Sequence, residues 1–214
     1  MTHIALYFSG RIKGYEEGIE NLKFLKEKYN IIFFCSLNLK EITSYEQLFF
    51  NILEIQNDRL NIEETIIPDN MKQLSSKPYC GIPKNIYSHL YHSSKCFELI
   101  ETYQKKNKII FDKIIKFRSD IISKTSLPID FDTKNQTILI PDGNDHCGVN
   151  DQIAYGDYNV MKCYSYLFDY IDLYCNQMKR SFHPETLFLF HLQRNNISIQ
   201  RFPFEYKLSN NRYI

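Results

Sequence analysis

The sequence predicts a single α/β domain with a mostly parallel central sheet flanked by helices. Short, continuous apolar runs, the pattern of strands buried on both faces, alternate with longer stretches whose apolar residues recur at helical spacing. No internal repeat, low-complexity tract or Gly/Ser linker divides the chain. Its 214 residues, 43% hydrophobic and 24% charged, are enough for one well-filled core.

The elements follow in order. Ile4–Phe8 is an apolar run ending at Ser9-Gly10, a buried strand followed by a loop. Tyr15–Tyr29 carries Ile19, Leu22, Leu25 and Tyr29 on one helical face, with charges between them. Ile31–Cys35 reads as a second strand, and Ser44–Gln56 as a helix opened by a capping box of Ser44 and Gln47. Glu64–Ile67 reads as a third strand, stopped by Pro68. Residues 68–83 hold three prolines and read as a loop; Ile86 to Lys106 then forms a long helix. Ile114–Phe117, Thr137–Ile140 and Asp151–Tyr155 are further strands, with Pro141-Asp142-Gly143 as a turn. Asp157 caps a helix reaching about Met178, His183-Pro184-Glu185 opens another, and Ile197–Phe202 is the last strand.

Composition excludes several classes of function. With 26 basic and 25 acidic residues, the chain has no net field to attract nucleic acid or an anionic membrane. Sixteen Phe and sixteen Tyr argue against disorder. No run approaches the roughly 18 apolar residues of a membrane span, and the N-terminus lacks the basic start of a signal peptide. A cytoplasmic protein is expected, host cytoplasm if the source is viral. The six cysteines contain no C-x-x-C pair and read as reduced, mostly buried thiols.

Chemistry concentrates in a few segments. Arg118-Ser119-Asp120 follows an apolar strand, and ligands in open α/β sheets bind beyond the carboxyl ends of strands. A carboxylate there suits a hard cation and an arginine suits phosphate, although a surface ion pair explains the same residues. Ser9-Gly10-Arg11 ends the first strand, where Gly10 permits close approach and Arg11 can reach a pyrophosphate; ordinary turn chemistry is the alternative. Residues 141–156 crowd polar groups together, among them Asn150, Asp151 and Gln152, as a sugar site or as turn formers. His183 and Glu185 stand at a helix start. His89, His92 and Cys96 have a spacing that allows zinc, but no fourth ligand is evident and helix packing is favoured. Walker, dinucleotide-binding, nucleophile-elbow and H-E-x-x-H motifs are absent.

Five segments, IALYFSGRIKGYEEGIENLKFL, SHLYHSSKCFELIETY, FDKIIKFRSDI, GVNDQIAYGDYNVMKCYSYLFDYI and FHPETLFLFHL, span nearly the whole chain. In this order they resemble the small GT-A-fold glycosyltransferases of large DNA viruses and bacterial polysaccharide clusters. The abundance of Ile, Lys and Asn suits a viral source. The resemblance implies a single GT-A-like (Rossmann-like) domain over 1–214, with residues 1–120 as nucleotide-binding half and 121–214 as acceptor-side half. It implies a nucleotide-sugar donor, a UDP-hexose or a UDP-deoxyhexose such as rhamnose, with Mn2+ or Mg2+ as cofactor and an oligosaccharide or glycoconjugate as acceptor. Arg118-Ser119-Asp120 matches the D-x-D motif but retains only its last carboxylate, which makes Asp120 the metal ligand. Ser9, Gly10, Arg11 and Arg118 then lie near the nucleotide. Asn150, Asp151 and Gln152 lie where a sugar sits, and His183 and Glu185 lie at the rim of the same site.

On this reading Asp151, His183 and Glu185 carry catalysis, with Asp151 as base for the acceptor hydroxyl if the reaction inverts; a retaining reaction leaves Asp151 to orient a sugar. Two alternatives have different signatures. A non-catalytic nucleotide- or glycan-binding module derived from a glycosyltransferase binds without turnover. A sugar-nucleotide-processing enzyme consumes the donor without an acceptor.

Overall fold

A computed structural model describes residues 3–72, 82–129, 132 and 134–209. In chain order the elements are β1 (His3–Gly10), α1 (Ile19–Lys28), β2 (Asn30–Leu37), α2 (Ser44–Leu53), β3 (Leu60–Ile62), α3 (Asp69–Lys72), α4 (Pro83–Asn107), β4 (Lys113–Phe117), β5 (Ile121–Ser123), β6 (Thr137–Pro141), β7 (Ile153–Gly156), α5 (Tyr158–Ser165), α6 (Pro184–Arg194), β8 (Ser198–Phe202) and β9 (Tyr206–Leu208).

Seven strands form one sheet in the order β3-β2-β1-β4-β7-β6-β8, and β5 pairs with β9 in a separate antiparallel ribbon. Every strand of the large sheet is parallel except β7, which runs against both β4 and β6. The sheet takes strands from both halves of the chain. Strand order reverses between β1 and β4: β1 leads through α1 to β2 on one side, while β4 joins β1 on the other. Such a reversal leaves a crevice beyond the carboxyl ends of the two strands.

The central strands are mostly apolar because helices cover both faces. Side chains alternate across the pleat, so Ile4, Leu6 and Phe8 of β1 join α1 and α2 in one core, whereas Ala5 and Tyr7 join α4, α5 and α6 in the other. Tyr7 is buried, and its hydroxyl is satisfied by Ser93 and Ser165 at 3.1 and 2.8 Å. Among the described residues no helix is long and apolar enough to cross a membrane. The five described cysteines are free thiols; Cys80 lies outside the described residues.

Several boundaries differ from the sequence reading. The third strand is Leu60–Ile62, not Glu64–Ile67. Past Ile62 the chain leaves β2: the Thr65 N–H goes to the Asn38 side chain at 2.8 Å and Ile66 turns out to 86% exposure, so the ladder cannot continue. The capping box at α2 is formed one residue earlier, by Thr43 and Glu46. Tyr15–Tyr29 divides at Gly18 into a 3-10 turn (Tyr15–Glu17) and α1, and Gly18 itself packs where a Cβ would strike the Ile121 carbonyl. Pro83 belongs to the first turn of α4 rather than to the preceding loop, residues 73–81 of which lie outside the described residues. The helix after Asp157 is α-helical only to Ser165. A tight 3-10 turn (Tyr166–Tyr170) and a wide π turn (Asp172–Gln177) follow, and together they keep Leu167, Ile171 and Tyr174 buried. Asp157 caps α5 by accepting from the Val160 N–H at 2.9 Å.

Candidate functional site

The crevice at the β1/β4 reversal is a cleft of about 440 Å3, within the size range of small-molecule sites. Three segments supply its floor and walls. Ser9, Gly10 and Arg11 leave the end of β1, and Lys116, Arg118 and Asp120 lie on or just past β4. Because β7 is antiparallel to β4, its start lies at the carboxyl end of β4, which brings Asp151 to the same edge. His183, Pro184 and Glu185 at the start of α6 form the opposite rim, tied to the Asp151 loop by a 3.1 Å hydrogen bond from Val149 N–H to the Glu185 carbonyl.

The structure thus brings together Ser9, Gly10, Arg11, Arg118, Asp120, Asp151, His183 and Glu185. Asn150 and Gln152 do not line the cleft. Asn150 is buried and braces its loop: it donates to the Gly143 carbonyl and to the Tyr206 hydroxyl, and accepts from the Gln152 N–H. Gln152 is buried with an unpartnered side-chain oxygen.

Sequence reasoning missed Lys116 and misjudged His89. Lys116 sits within the otherwise apolar Ile-Ile-Lys-Phe run of β4, buried, with its ammonium donating to the Asp151 carbonyl. A lysine at an inward position of a buried strand is the signal that could have revealed it. His89 faces the cleft from α4, with Nε2 3.7 Å from Asp151 Oδ2. His92, three residues on, points elsewhere and is held by Ser36 and Thr65 at 2.8 and 2.7 Å, while the Cys96 thiol donates to the Phe8 carbonyl. The three therefore share no ligand site.

The electrostatics separate the two carboxylates at the sheet edge. Burial alone would raise the pKa of Asp151, but Lys116, His89 and Arg118 outweigh it and hold the carboxyl below its ordinary value. Burial, reinforced by the charge of Asp151, pushes Glu185 up to about 7, against the opposing pull of Lys116. Burial lowers Lys116 to about 8 and His89 to about 3. Near neutral pH the cleft therefore holds an ionised Asp151 beside a half-protonated Glu185. Ser9 Oγ is buried here with no hydrogen-bond partner, whereas His89 Nε2 and Glu185 Oε2 make only ion-pair contacts, to Asp151 and His183. A buried orphan such as Ser9 Oγ is rare in native interiors and points to a ligand.

A divalent cation of the kind the resemblance implies needs several oxygen ligands. Asp120 is 3% exposed, and both its oxygens accept from Arg118, at 2.6 and 3.0 Å. Among the described residues no group of three or more His, Cys, Asp or Glu side chains is arranged to hold a metal ion. Paired in this way, Arg118 and Asp120 do not fit a cation site.

Protonation also sets a stability expectation. His92 and His191 are buried, and burial lowers both to about 4. His191 is satisfied by the Tyr174 hydroxyl and the Cys163 carbonyl. As pH falls below 6.5 the unfolded chain takes up protons that these imidazoles refuse, so the stability they contribute is lost. Each withdraws about 2 kcal/mol between pH 7 and 5, and Glu185, protonating in the native state, returns about 2. Urea unfolding at the two pH values should show a net loss of at least about 2 kcal/mol. An unchanged midpoint would mean that the imidazoles protonate in place.

A family profile described as "Domain of unknown function (DUF7796)" matches residues 64–213. The chain belongs to that family. The match takes in α4, the Arg118-Ser119-Asp120 segment, the Asp151 loop and α6, so most of the cleft lies within the family's domain. No curated protein matches the chain. Among solved structures, galactosyltransferase LgtC in complex with donor and acceptor sugar analogs aligns over 92% of this chain and 72% of its own, at 10% identity and a TM-score of 0.50. A glycosyltransferase involved in glycosylation of the major capsid of PBCV-1 aligns over 95% and 82%, at 8% identity and a TM-score of 0.49. The first of these likenesses establishes the fold, a Rossmann-like glycosyltransferase architecture.

Proposed function

We propose that the cleft binds a nucleotide-sugar donor and that the chain transfers its sugar to a glycan acceptor. The observation that carries this reading is the charge at the strand-order reversal. Arg11, Lys13, Lys116 and Arg118 line the cleft against Asp120, Asp151 and Glu185, and Glu185 is only partly ionised. The excess of cations suits a diphosphate, and the carboxylates suit sugar hydroxyls. The fold of LgtC, described with donor and acceptor sugar analogs, supports the same reading. A UDP-sugar is the first donor to test, with an oligosaccharide or glycoconjugate as acceptor.

Glycosyl transfer to a hydroxyl needs the developing charge on the departing nucleoside diphosphate to be stabilised, and a base for the acceptor proton. Arg118 and Lys116 supply the positive charge. When environments drive two carboxylates apart in pKa, the one near the working pH suits proton transfer and the other stays ionised. Glu185 takes the first role, with His183 Nε2 3.2 Å from its Oε2. Asp151, opposite Lys116, takes the second and orients a sugar hydroxyl.

The test is a thermal-shift panel of nucleotides and nucleotide sugars, followed by product analysis with and without glycan acceptors. A shift for one nucleotide series together with acceptor-dependent release of its diphosphate is expected. Release without an acceptor would point to a sugar-nucleotide-processing enzyme, and binding without turnover to a non-catalytic module. Asp151→Asn should leave nucleotide binding within about threefold while lowering turnover about a hundredfold or more. Unchanged turnover would remove Asp151 from the site.

A further inference from the structure

We infer that this chain holds the diphosphate of its ligand through Arg118 and neighbouring cations, with no divalent metal between protein and phosphate. The inference rests on the donor-binding reading above and concerns how that donor is held.

The D-x-D position carries Arg118 in place of the first carboxylate, and the substitution changes the site in two ways. It removes one anionic ligand. It also occupies the other, because Arg118 Nε and Nη2 donate to Oδ1 and Oδ2 of Asp120 as a two-point ion pair. Asp120 is 3% exposed, so a cation would have to displace the guanidinium to reach either oxygen. A guanidinium carries five N–H donors; the two spent on Asp120 fix its plane and leave three. Its side chain is 39% exposed and lines the cleft. Asp120 thus serves as the anchor of a positioned arginine, and that arginine presents a planar fork suited to phosphate oxygens.

The surroundings agree. Arg11 and Lys13 line the cleft after β1, and Lys116 lies in its floor. Ser9 Oγ is buried at the same edge without a protein partner, a donor available to a phosphate oxygen. Gly10, at φ +97° with no atom near its missing Cβ, leaves the backbone open to close approach. No step in this arrangement requires a metal to neutralise the diphosphate.

The test is calorimetric titration of UDP, GDP, TDP and ADP into the full chain, once with 5 mM manganese and once with EDTA (concentrations about those of ordinary practice). The wild type is expected to bind one of these with the same affinity, within about twofold, in both buffers. Arg118→Gln should weaken binding in EDTA by about tenfold to a hundredfold. Arg118→Asp restores the paired carboxylates, so it should bind poorly in EDTA and recover in manganese. Circular dichroism is the check that both variants fold, since each leaves the buried Asp120 carboxylate without its guanidinium partner. Wild-type binding that needs manganese, or an Arg118→Gln variant that binds normally, would overturn the inference and leave nucleotide binding standing. If no nucleotide binds in either buffer, the donor-binding reading itself fails.

Discussion

Glu185→Gln should lower sugar transfer by about a hundredfold or more and gain stability relative to the wild type as the pH rises from about 5 to 8. The two effects have one cause. Glu185 lies at the start of α6 facing Asp151 from the β7 edge, Lys116 from β4, His183 from its own segment and the Tyr164 side chain of α5. Its side chain is only 12% exposed, and Oε2 is 3.2 Å from His183 Nε2 without forming a hydrogen bond. Burial and the Asp151 charge therefore favour the protonated form, and the folded pKa rises to about 7 from an ordinary 4.5. The stability this group contributes is fully present below pH 4.5 and is lost as pH rises through 7.

Glutamine keeps the shape of the protonated acid and never ionises. The stability difference between variant and wild type should therefore grow by about 2 kcal/mol in favour of the variant from pH 5 to pH 8. Chemical denaturation at several pH values reads it, and a difference that does not change with pH would show that Glu185 is not perturbed. Turnover should fall by about 10²- to 10⁴-fold, the usual share of a general base. The wild-type kcat/KM should decline about tenfold per pH unit below a pKa near 7, as the base is titrated. A profile flat from pH 5 to 8 would assign the proton transfer elsewhere.

How far the sequence revealed this site follows from what kind of signal each part leaves. Strands buried on both faces leave continuous apolar runs, so β1, β2 and β4 and the residues just past them were legible, Ser9-Gly10-Arg11 and Arg118-Ser119-Asp120 included. Pro184 after His183 marked the start of α6 equally well. The antiparallel direction of β7 left no trace, since direction is set by pairing and not by the four residues Ile153–Gly156. That direction is what carries Asp151 to the carboxyl edge of β4. The ribbon of β5 and β9 was missed because each strand has three residues and no pattern of its own. Lys116 and His89 escaped for a different reason. Each was read by its element, one in an apolar strand and one on a helix face, and their role emerges only where β4, α4 and the Asp151 loop meet. The Arg118–Asp120 ion pair was legible as one of two readings, but as a surface pair, without the burial of Asp120 or the two-point contact.

Gly148→Ala should cost the protein its activity by displacing Glu185 without touching any charged group of the cleft. Gly148 lies under the first turn of α6, where an added Cβ would overlap the backbone carbon and oxygen of Glu185 and crowd the Thr186 nitrogen. Backbone atoms cannot swing aside as a side-chain tip would. The two segments are also joined by Val149 N–H to the Glu185 carbonyl at 3.1 Å, and Gly148 N–H to the Asp145 carbonyl at 2.7 Å holds the loop's own turn. Either α6 lifts or the Asp151 loop recedes, and both separate Glu185 from Asp151. Overpacking of this kind costs about 1–3 kcal/mol, and a displacement of about 1 Å at a catalytic group costs about a hundredfold in rate. Gly143→Ala is the matched control. At φ +81° it strains the same loop, by about 1–2 kcal/mol, yet its Cβ meets nothing within 4 Å. Both variants should unfold earlier than the wild type, and only Gly148→Ala should lose turnover at a temperature where both are folded. Equal turnover in the two would mean that the seat of α6 on Gly148 does not set the position of Glu185.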